Sequence, residues 1–372
     1  MGLIGCGVIS KVYLNNLQNV FDATNVTVVA DGRLERAQER AAEFEVPTAL
    51  DSIPDLLSRD DVEIVVNLTA PAQHFEISKA ALLAGKNVYT EKPLALTLQE
   101  GVELTRLAEE RGLLIASAPD TILGDAIQTA RHAIDAGWIG KPFGFTGHAL
   151  WAGPASWHPS PEFLYQPGGG PILDNAPYTI AALVYLLEAS FRRVATFGSR
   201  PFKELTIGSG RKAGQKFPVG LDTFVASALE MDGDIAGSML HSMSVPHTKL
   251  GDPRQKDMGI EIYGTNGTII LPGPAFHDGA VLFRSKEAGE WSELPSLYPH
   301  LRDVRGLGAV ELASSLLEKR APRIDAKFSL HVFEVLTQMV EGNDSKLVHN
   351  IGSSVGPRGA GVPIGLEPGQ FA

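Results

Sequence analysis

Cysteine is almost absent. Cys6 is the only one in 372 residues, so neither an intramolecular disulfide nor a cysteine-based metal cage can form. A single thiol accords with a reducing compartment. Basic residues are outnumbered, 32 Lys and Arg against 43 Asp and Glu, for a formal charge of −11. Such a surface repels a phosphate backbone, and no Lys/Arg run offers a local exception, which argues against a nucleic-acid partner. The acidity does not exclude an anionic cofactor, because backbone N–H groups and a helix dipole hold a pyrophosphate. No apolar run reaches the length of a membrane span. No basic stretch followed by an apolar one marks a signal peptide. These absences lead to the expectation of a cytoplasmic protein without a membrane partner. No His/Asp/Glu spacing resembles a metal site, and there is no internal repeat.

What is present is an ordinary globular composition, 44% hydrophobic and 20% charged, over a length that suits two domains. Met1 to Ile4 is a short apolar strand that runs straight into Gly5-Cys6-Gly7. Ile9, Val12, Tyr13, Leu17 and Val20 recur at helical spacing. A β-branched strand, Val26 to Ala30, ends at Asp31, and Leu34, Ala37, Ala41 and Phe44 mark the next helix. Val62 to Leu68 is another strand, followed by a helix over His74 to Leu83 that Gly85 ends. Asn87 to Tyr89 is a strand before Glu91-Lys92-Pro93. Thr97 and Glu100 form a capping box on a helix to Arg111, and Leu113 to Ala116 is the last strand of the series. This α/β alternation predicts a Rossmann-type doubly wound parallel sheet over residues 1–119.

The texture changes after Pro119. Ile127 to Ala136 is one helix. Strands follow at Phe224 to Met231, Ile235 to His241, Gly259 to Tyr263 and Thr268 to Leu271, the last two joined by the turn Gly264 to Gly267. Helical patterns return at Ala309 to Leu317 and Leu330 to Val340, and the tail from Asn350 is an irregular Gly/Pro-rich arm. Residues 120–372 are therefore expected to form an α+β domain with a large, mainly antiparallel open sheet.

Gly5-Cys6-Gly7-Val8-Ile9-Ser10 sits between a strand and a helix. Gly5 permits the tight turn and Gly7 lets the backbone approach a pyrophosphate. Ser10 supplies the small side chain where a third glycine is usual. Asp31, at the end of the next strand, is placed to accept from an adenosine ribose, which favours NAD over NADP. Arg33 could pair with a 2′-phosphate instead, or be a solvated charge. Gly5, Gly7, Val8, Ile9, Asp31 and Arg33 are thus candidate cofactor contacts.

Lys92, in Glu91-Lys92-Pro93, lies on the carboxyl edge where open α/β sheets bind ligands. It can hydrogen-bond a substrate hydroxyl or depress the pKa of a neighbouring acid, or it is a surface lysine before a turn proline. Further on, Gly168-Gly169-Gly170 leads to Asp174 and Tyr178. If one helix runs through both, their side chains share a face. Pro177 is tolerated only in a first turn, which puts Asp174 near the helix N-terminus, where its charge is stabilised. Tyr178, with an ordinary pKa near 10, becomes a general acid/base if Lys92 is near. The plainer alternative is an N-capping Asp and a packing Tyr.

In this order, these motifs resemble the Gfo/Idh/MocA oxidoreductase family, as do Ile139-Gly140-Lys141-Pro142 and the Ile260 to Thr268 hairpin. The resemblance covers essentially the whole chain. It implies hydride transfer between a nicotinamide and a sugar, inositol or related polyol. It also implies an open sheet packed against another subunit, hence a homodimer or homotetramer. The family's catalytic lysine falls on Lys92, and its Asp-x-x-x-His pair on Asp174 and Tyr178. The usual His is here a Tyr, so either Tyr178 or Lys92 takes the proton. The family's cofactor contacts after the fourth strand fall on Thr69, Ala70 and His74, with Glu91 and Lys92 beyond. His74 caps its helix, touches the cofactor or has a plain structural role.

Trp157 and His158, in a Pro-rich aromatic segment with Trp151 and Tyr165, suit sugar binding or a dimer interface. Asp120 and Thr121 are candidate substrate contacts at the start of the second domain. His241 and His247 read as strand or loop residues. The function expected is an NAD(P)-dependent dehydrogenase or reductase of a polyol or its ketone. The rivals are a glycosidase or lyase that retains NAD and oxidises transiently, a non-catalytic NAD(P)-binding regulator, and an unrelated Rossmann enzyme.

Overall fold

The computed structural model describes residues 1–372 except 249–257, 288, 303, 358, 367 and 372. The chain divides into two compact units. One comprises Met1–Gln128, Leu297–Phe333 and Gly356–Ala372, the other Thr129–Ser296 and Glu334–Val355.

In the first unit, strands and helices alternate as β1 (Gly2–Ile4), α1 (Ser10–Asn19), β2 (Val28–Ala30), α2 (Leu34–Glu43), β3 (Thr48–Leu50), α3 (Ile53–Leu57), β4 (Ile64–Asn67), α4 (Pro71–Leu83), β5 (Asn87–Thr90), α5 (Leu98–Arg111) and β6 (Ile115–Ser117). The sheet order is β3-β2-β1-β4-β5-β6, and every pair is parallel. The chain reverses its direction of travel between β1 and β4, which is where open α/β sheets bind ligands. β1 is three residues long, yet it is paired on both sides, Leu3 with Val29 and with Val66. Helices cover both faces, so the strands are mostly apolar, with polar residues such as Asn67, Asn87, Thr90 and Ser117 at their ends. Ile4, Val28, Val65, Val88 and Ile115 pack with Leu56, Leu82 and Leu104 in one core, each such side chain contributing roughly 1.5–3 kcal/mol by burial.

The sequence pattern places a single boundary after residue 119, whereas two later segments close on the first unit. Buried side chains hold them there. Asp120 Oδ2 accepts from the N–H groups of Gly306 and Gly308 at 2.7 and 3.2 Å. Asp125 accepts from Tyr298 N–H and from Arg302 Nε, both at 3.0 Å. Gln128 Oε1 accepts from Val362 N–H at 3.1 Å.

After α6 (Asp125–Asp135) the second unit holds β7 (Pro142–Leu150), α7 (Gly170–Asp174), α8 (Ala176–Leu187), β8 (Phe191–Ser199), β9 (Glu204–Thr206), β10 (Lys216–Pro218), β11 (Phe224–Met231), β12 (Ile235–Ser242), β13 (Met258–Gly264), β14 (Gly267–Pro272), β15 (Leu282–Ser285) and β16 (Ser292–Glu293). Later in the chain come α9 (Leu307–Glu318), which belongs to the first unit, α10 (Ala326–Ser345), which starts in the first unit and ends in the second, and β17 (Val348–Asn350) in the second. Nine strands form one sheet in the order β16-β15-β14-β13-β7-β12-β11-β8-β17. Only β7 and β12 run parallel among the paired strands, so the sheet is mixed and mostly antiparallel. Period-2 alternation gives it one covered and one open face. Val194, Thr196, Val225, Ser227 and Leu229 are buried, while Phe197, Ala228, Ala236 and Ser238 are exposed.

His241 on β12 is fully buried, with Nε2 3.3 Å from Thr179 Oγ1 of α8. Burial, helped by His148, pushes its pKa down from 6.5 to about 3. The unfolded chain therefore binds a proton below pH 6.5 that the native protein refuses until about pH 3, so stability is lost as pH falls through that window. Unfolding free energies from urea titrations between pH 7 and 5 should fall more steeply for the native protein than for His241→Asn, by at most about 1.4 kcal/mol per pH unit. Equal slopes would remove His241 as the cause.

Candidate active site

Two glycines of the β1–α1 turn have different reasons to be glycine. At Gly5, φ is +99°, and a Cβ would lie 2.7 Å from the carbonyl carbon and oxygen of Leu68, so the fold itself forbids a side chain. At Gly7 no atom lies within 4 Å of the Cβ position and φ is not in the left-handed region. The fold does not require glycine there. The open space lies before α1, whose first turn carries no acidic residue and no side-chain cap, so its N–H groups fit a pyrophosphate. The loop is stiffened from within, as Ser10 Oγ donates to Gly7 O at 2.7 Å. Val8 stands almost fully exposed and Ile9 half-buried on the same loop. The buried Cys6 thiol is pushed up to about 12, by desolvation first and then by Asp31, and is a neutral packing group.

Asp31 braces this loop. Its Oδ2 accepts from Cys6 N–H at 2.9 Å and its Oδ1 from Arg33 N–H at 3.0 Å. Each oxygen keeps a further lone pair for a ribose hydroxyl. Arg33 occupies the N-cap position of α2 with its side chain exposed.

The β4–α4 turn and the Lys92 loop are tied into one system. Asn67, buried at the end of β4, accepts at Oδ1 from Thr69 Oγ1 at 2.7 Å and donates from Nδ2 to His74 O at 3.2 Å. Ala70 is the N-cap of α4. His74 is buried, with Nδ1 2.6 Å from Pro93 O and Nε2 3.0 Å from Thr69 O. Both ring nitrogens face backbone carbonyls, which leaves no polar edge for a cofactor. His74 is a strut between the two turns, the plain structural role among its three readings. Glu91 Oε1 accepts from Tyr13 Oη of α1 at 2.7 Å, and Oε2 from Lys92 N–H at 3.0 Å. The backbone of Lys92 is thereby fixed to the helix that follows the glycine loop.

Asp120 departs from its expected role as a substrate contact. It is fully buried, and its Oδ2 caps the first N–H groups of α9. Thr121 is likewise fully buried, in a 3-10 turn over Thr121–Leu123.

In the second unit the expected continuous helix through Asp174 and Tyr178 is broken. Asp174 is the last residue of α7, Asn175 lies between the helices, and α8 begins at Ala176. Pro177 is the cause, because it has no N–H for the carbonyl four residues back and is tolerated only in a first turn. Asp174 thus ends α7 and stands directly before Asn175, the N-cap of the helix that holds Tyr178, so it lies beside that helix's N-terminus but outside the helix. Both side chains are half-buried. Asn175 Oδ1 accepts from Trp151 Nε1 at 3.1 Å, which fixes the junction. Asn175 and Asn67 were missed from sequence, although a buried Asn ending an apolar strand was a signal available for Asn67. Tyr165, fully buried, is pushed up to about 12 by burial, with Asp174 adding to the shift. Trp157 is exposed and His158 half-exposed. A cleft of about 200 Å³ is lined by Gly168–Leu173, Arg200, Gly220–Asp222 and the end of α10. Neither Asp174 nor Tyr178 lines it.

Residues 1–118 match the model of an oxidoreductase family with an NAD-binding Rossmann fold, and residues 127–270 match the GFO/IDH/MocA C-terminal domain. The chain belongs to the Gfo/Idh/MocA oxidoreductase family. It is an NAD(P)-dependent oxidoreductase, with NAD the cofactor of its Rossmann domain. Among its relatives is scyllo-inositol 2-dehydrogenase (NAD(+)) of Bacillus subtilis, 24% identical over 89% of this chain and 90% of that protein. Levoglucosan dehydrogenase of Pseudarthrobacter phenanthrenivorans is 26% identical over 70% of this chain and 68% of that one. The fold is shared with an NAD-binding oxidoreductase from Klebsiella pneumoniae (TM-score 0.82, 19% identity, 95% and 98% of the two chains). It is also shared with levoglucosan dehydrogenase in complex with NADH and L-sorbose (TM-score 0.79, 20% identity, 95% and 98%). Among the described residues, no helix is long and apolar enough to cross a membrane.

In this family member the two glycines should fail differently. Gly7→Val should weaken NAD binding by tenfold or more while leaving the urea midpoint near that of the native protein. Gly5→Ala should lower the unfolding free energy by about 1–3 kcal/mol and the urea midpoint with it. NAD titration and urea unfolding of both variants separate the effects; a Gly7→Val that unfolds early while binding NAD normally would reverse the assignment.

Proposed function

We propose that the protein oxidises a secondary alcohol of a sugar, inositol or related polyol, or reduces the matching ketone, in the cytoplasm. The observation that carries this reading is the Tyr13–Glu91–Lys92 connection. It fixes the backbone of a lysine loop to the helix behind the open glycine turn. The names of the relatives, an inositol dehydrogenase and a levoglucosan dehydrogenase, support a polyol as the substrate class.

Bound NAD supplies the hydride acceptor. Lys92 carries the positive charge that stabilises an alkoxide or a phenolate. In one route Lys92 stays protonated and a Tyr178 phenolate takes the hydroxyl proton as the alcohol is oxidised. In the other, Lys92 is the neutral amine and takes that proton itself, becoming the ammonium. In both, Asp174 accepts a hydrogen bond from a neighbouring hydroxyl. Asp31 accepts from the adenosine ribose, and Thr69, Ala70 and Glu91 shape the cofactor edge. Lys92→Met should lower kcat by roughly 10²–10⁴ while NAD binding stays intact, as read by reduced-nicotinamide absorbance with a panel of sugars and inositols. Unchanged kcat would overturn the role. Tyr178→Phe matches that loss if the phenol takes the proton, and has only a small effect if Lys92 does.

We further propose that a second copy covers the open face of the nine-stranded sheet. Its small residues Ala228, Ala236 and Ser238 leave a flat surface, and Phe197 stands on it 55% exposed. Ala228→Arg with Phe197→Glu should convert a dimer or tetramer to a smaller species in sedimentation velocity. An unchanged sedimentation coefficient would place any interface elsewhere.

A further inference from the structure

Three aromatic rings form a ladder on the surface of the second unit. Trp157 packs edge-on against His158, with centroids 5.6 Å apart at 67°, and His158 packs against Phe163 at 5.7 Å and 69°. Trp157 is 59% and Phe163 60% exposed. Large aromatics left in water this way cost hydration free energy unless something covers them.

The ladder is rigidly mounted. Trp157 and His158 donate their backbone N–H groups to Pro154 O at 3.2 and 2.8 Å. Ser209 Oγ donates to Trp157 O at 2.5 Å, and Gly208 N–H to Ala155 O at 2.8 Å, so the segment is clamped to the β9–β10 hairpin. Beneath it Ala155, Tyr165, Ile207, Phe217, Val219 and Met243 form a separate small core. Glu162 and Lys212 pair at 2.7 Å on the same two segments.

The central ring has one fixed hydrogen-bonding role. Ser160 N–H donates to His158 Nδ1 at 3.0 Å, so Nδ1 is an acceptor and the neutral ring carries its proton on Nε2. The ring that carries this donor thus stands between two exposed apolar rings. Apolar rings with a donor-bearing ring between them match a pyranose, which is apolar across its C–H face and polar around its rim. Phe163 of the ladder and Tyr165 share the 3-10 turn Glu162–Tyr165. Phe163 points outward from it, whereas Tyr165 points inward and feels the charge of Asp174.

We propose that Trp157, His158 and Phe163 form a second saccharide subsite. A pyranose ring packs on the aromatic faces, and His158 Nε2–H donates to one of its hydroxyls. The substrate class is then a glycoside or disaccharide rather than a free monosaccharide. This rests on the polyol reading above and extends it. A second copy of the chain is a weaker occupant, because three rings beside a charged pair are far smaller than the roughly 800 Å² per partner of a stable interface.

Isothermal titration of the NADH-loaded protein with glucose, maltose and cellobiose tests the subsite. Ring stacking tolerates hydroxyl stereochemistry, so at least one disaccharide should bind tenfold or more tighter than glucose. Trp157→Ala and, independently, Phe163→Ala should each reduce that ratio to within about twofold; the second variant guards against misfolding of the first. Equal binding of glucose and both disaccharides overturns the proposal. So does an advantage that survives both substitutions, an absence of binding by any of the three, or self-association of the native protein that Trp157→Ala abolishes. Lys92→Met, titrated in parallel, should retain the disaccharide advantage. The turnover assay on Lys92→Met reports separately on the polyol reading, so the two failures are distinguishable.

Discussion

The carbonyl of Leu68 occupies the space that a side chain at residue 5 would need, and the arrangement of the cofactor edge depends on that close approach. β1 and β4 can sit side by side with their turns nearly touching only because residue 5 has no Cβ. A chain of polar contacts then extends along the carboxyl edge. Asp31 holds Cys6, Asn67 holds Thr69, His74 spans Thr69 and Pro93, and Glu91 joins Lys92 to Tyr13. Each buried polar atom in it is satisfied mainly by backbone or by a neighbour on an adjacent turn. Such networks fix loop positions because a broken member leaves another group desolvated and unpaired.

The second unit works by a different physical device. Its sheet supplies a broad support whose covered face packs on apolar α8. Asp174, proposed to bind substrate, lies where regular structure is interrupted. Pro177 forces the break after Asp174, and Trp151 pins Asn175 in the gap. Beside it, the mounted aromatic ladder uses a second, smaller core for rigidity.

Buried acids and an amide do structural work that their charge alone would not reveal. Asp120 and Asp125 are rooted where the first unit ends its sheet, and both accept from the backbone of the 298–308 segment. Glu311 is fully buried between Arg320 and Arg323, and Arg323 in turn donates to the carbonyls of Ala360 and Gly361. In this way the tail, irregular by composition, is held by named partners. The acid at 120 was legible as important and illegible in role, since a substrate contact and a helix cap ask for the same carboxylate.

The sequence by itself determined the parallel sheet, the glycine turn, Asp31 at the end of β2, the Thr97–Glu100 capping box and the β13–β14 hairpin. All of these are written in local periodicity, in capping chemistry or in a backbone angle that only glycine adopts readily. It also carried the order of motifs by which the family is recognised. Only the tertiary structure decided that Gly7 is open while Gly5 is enclosed, and that His74 faces carbonyls. It alone showed that Asp120 caps a helix nearly two hundred residues away and that segments 297–333 and 356–372 rejoin the first unit. Each of these depends on which residue far along the chain occupies the space beside a side chain, and a local pattern of residues does not encode that neighbour.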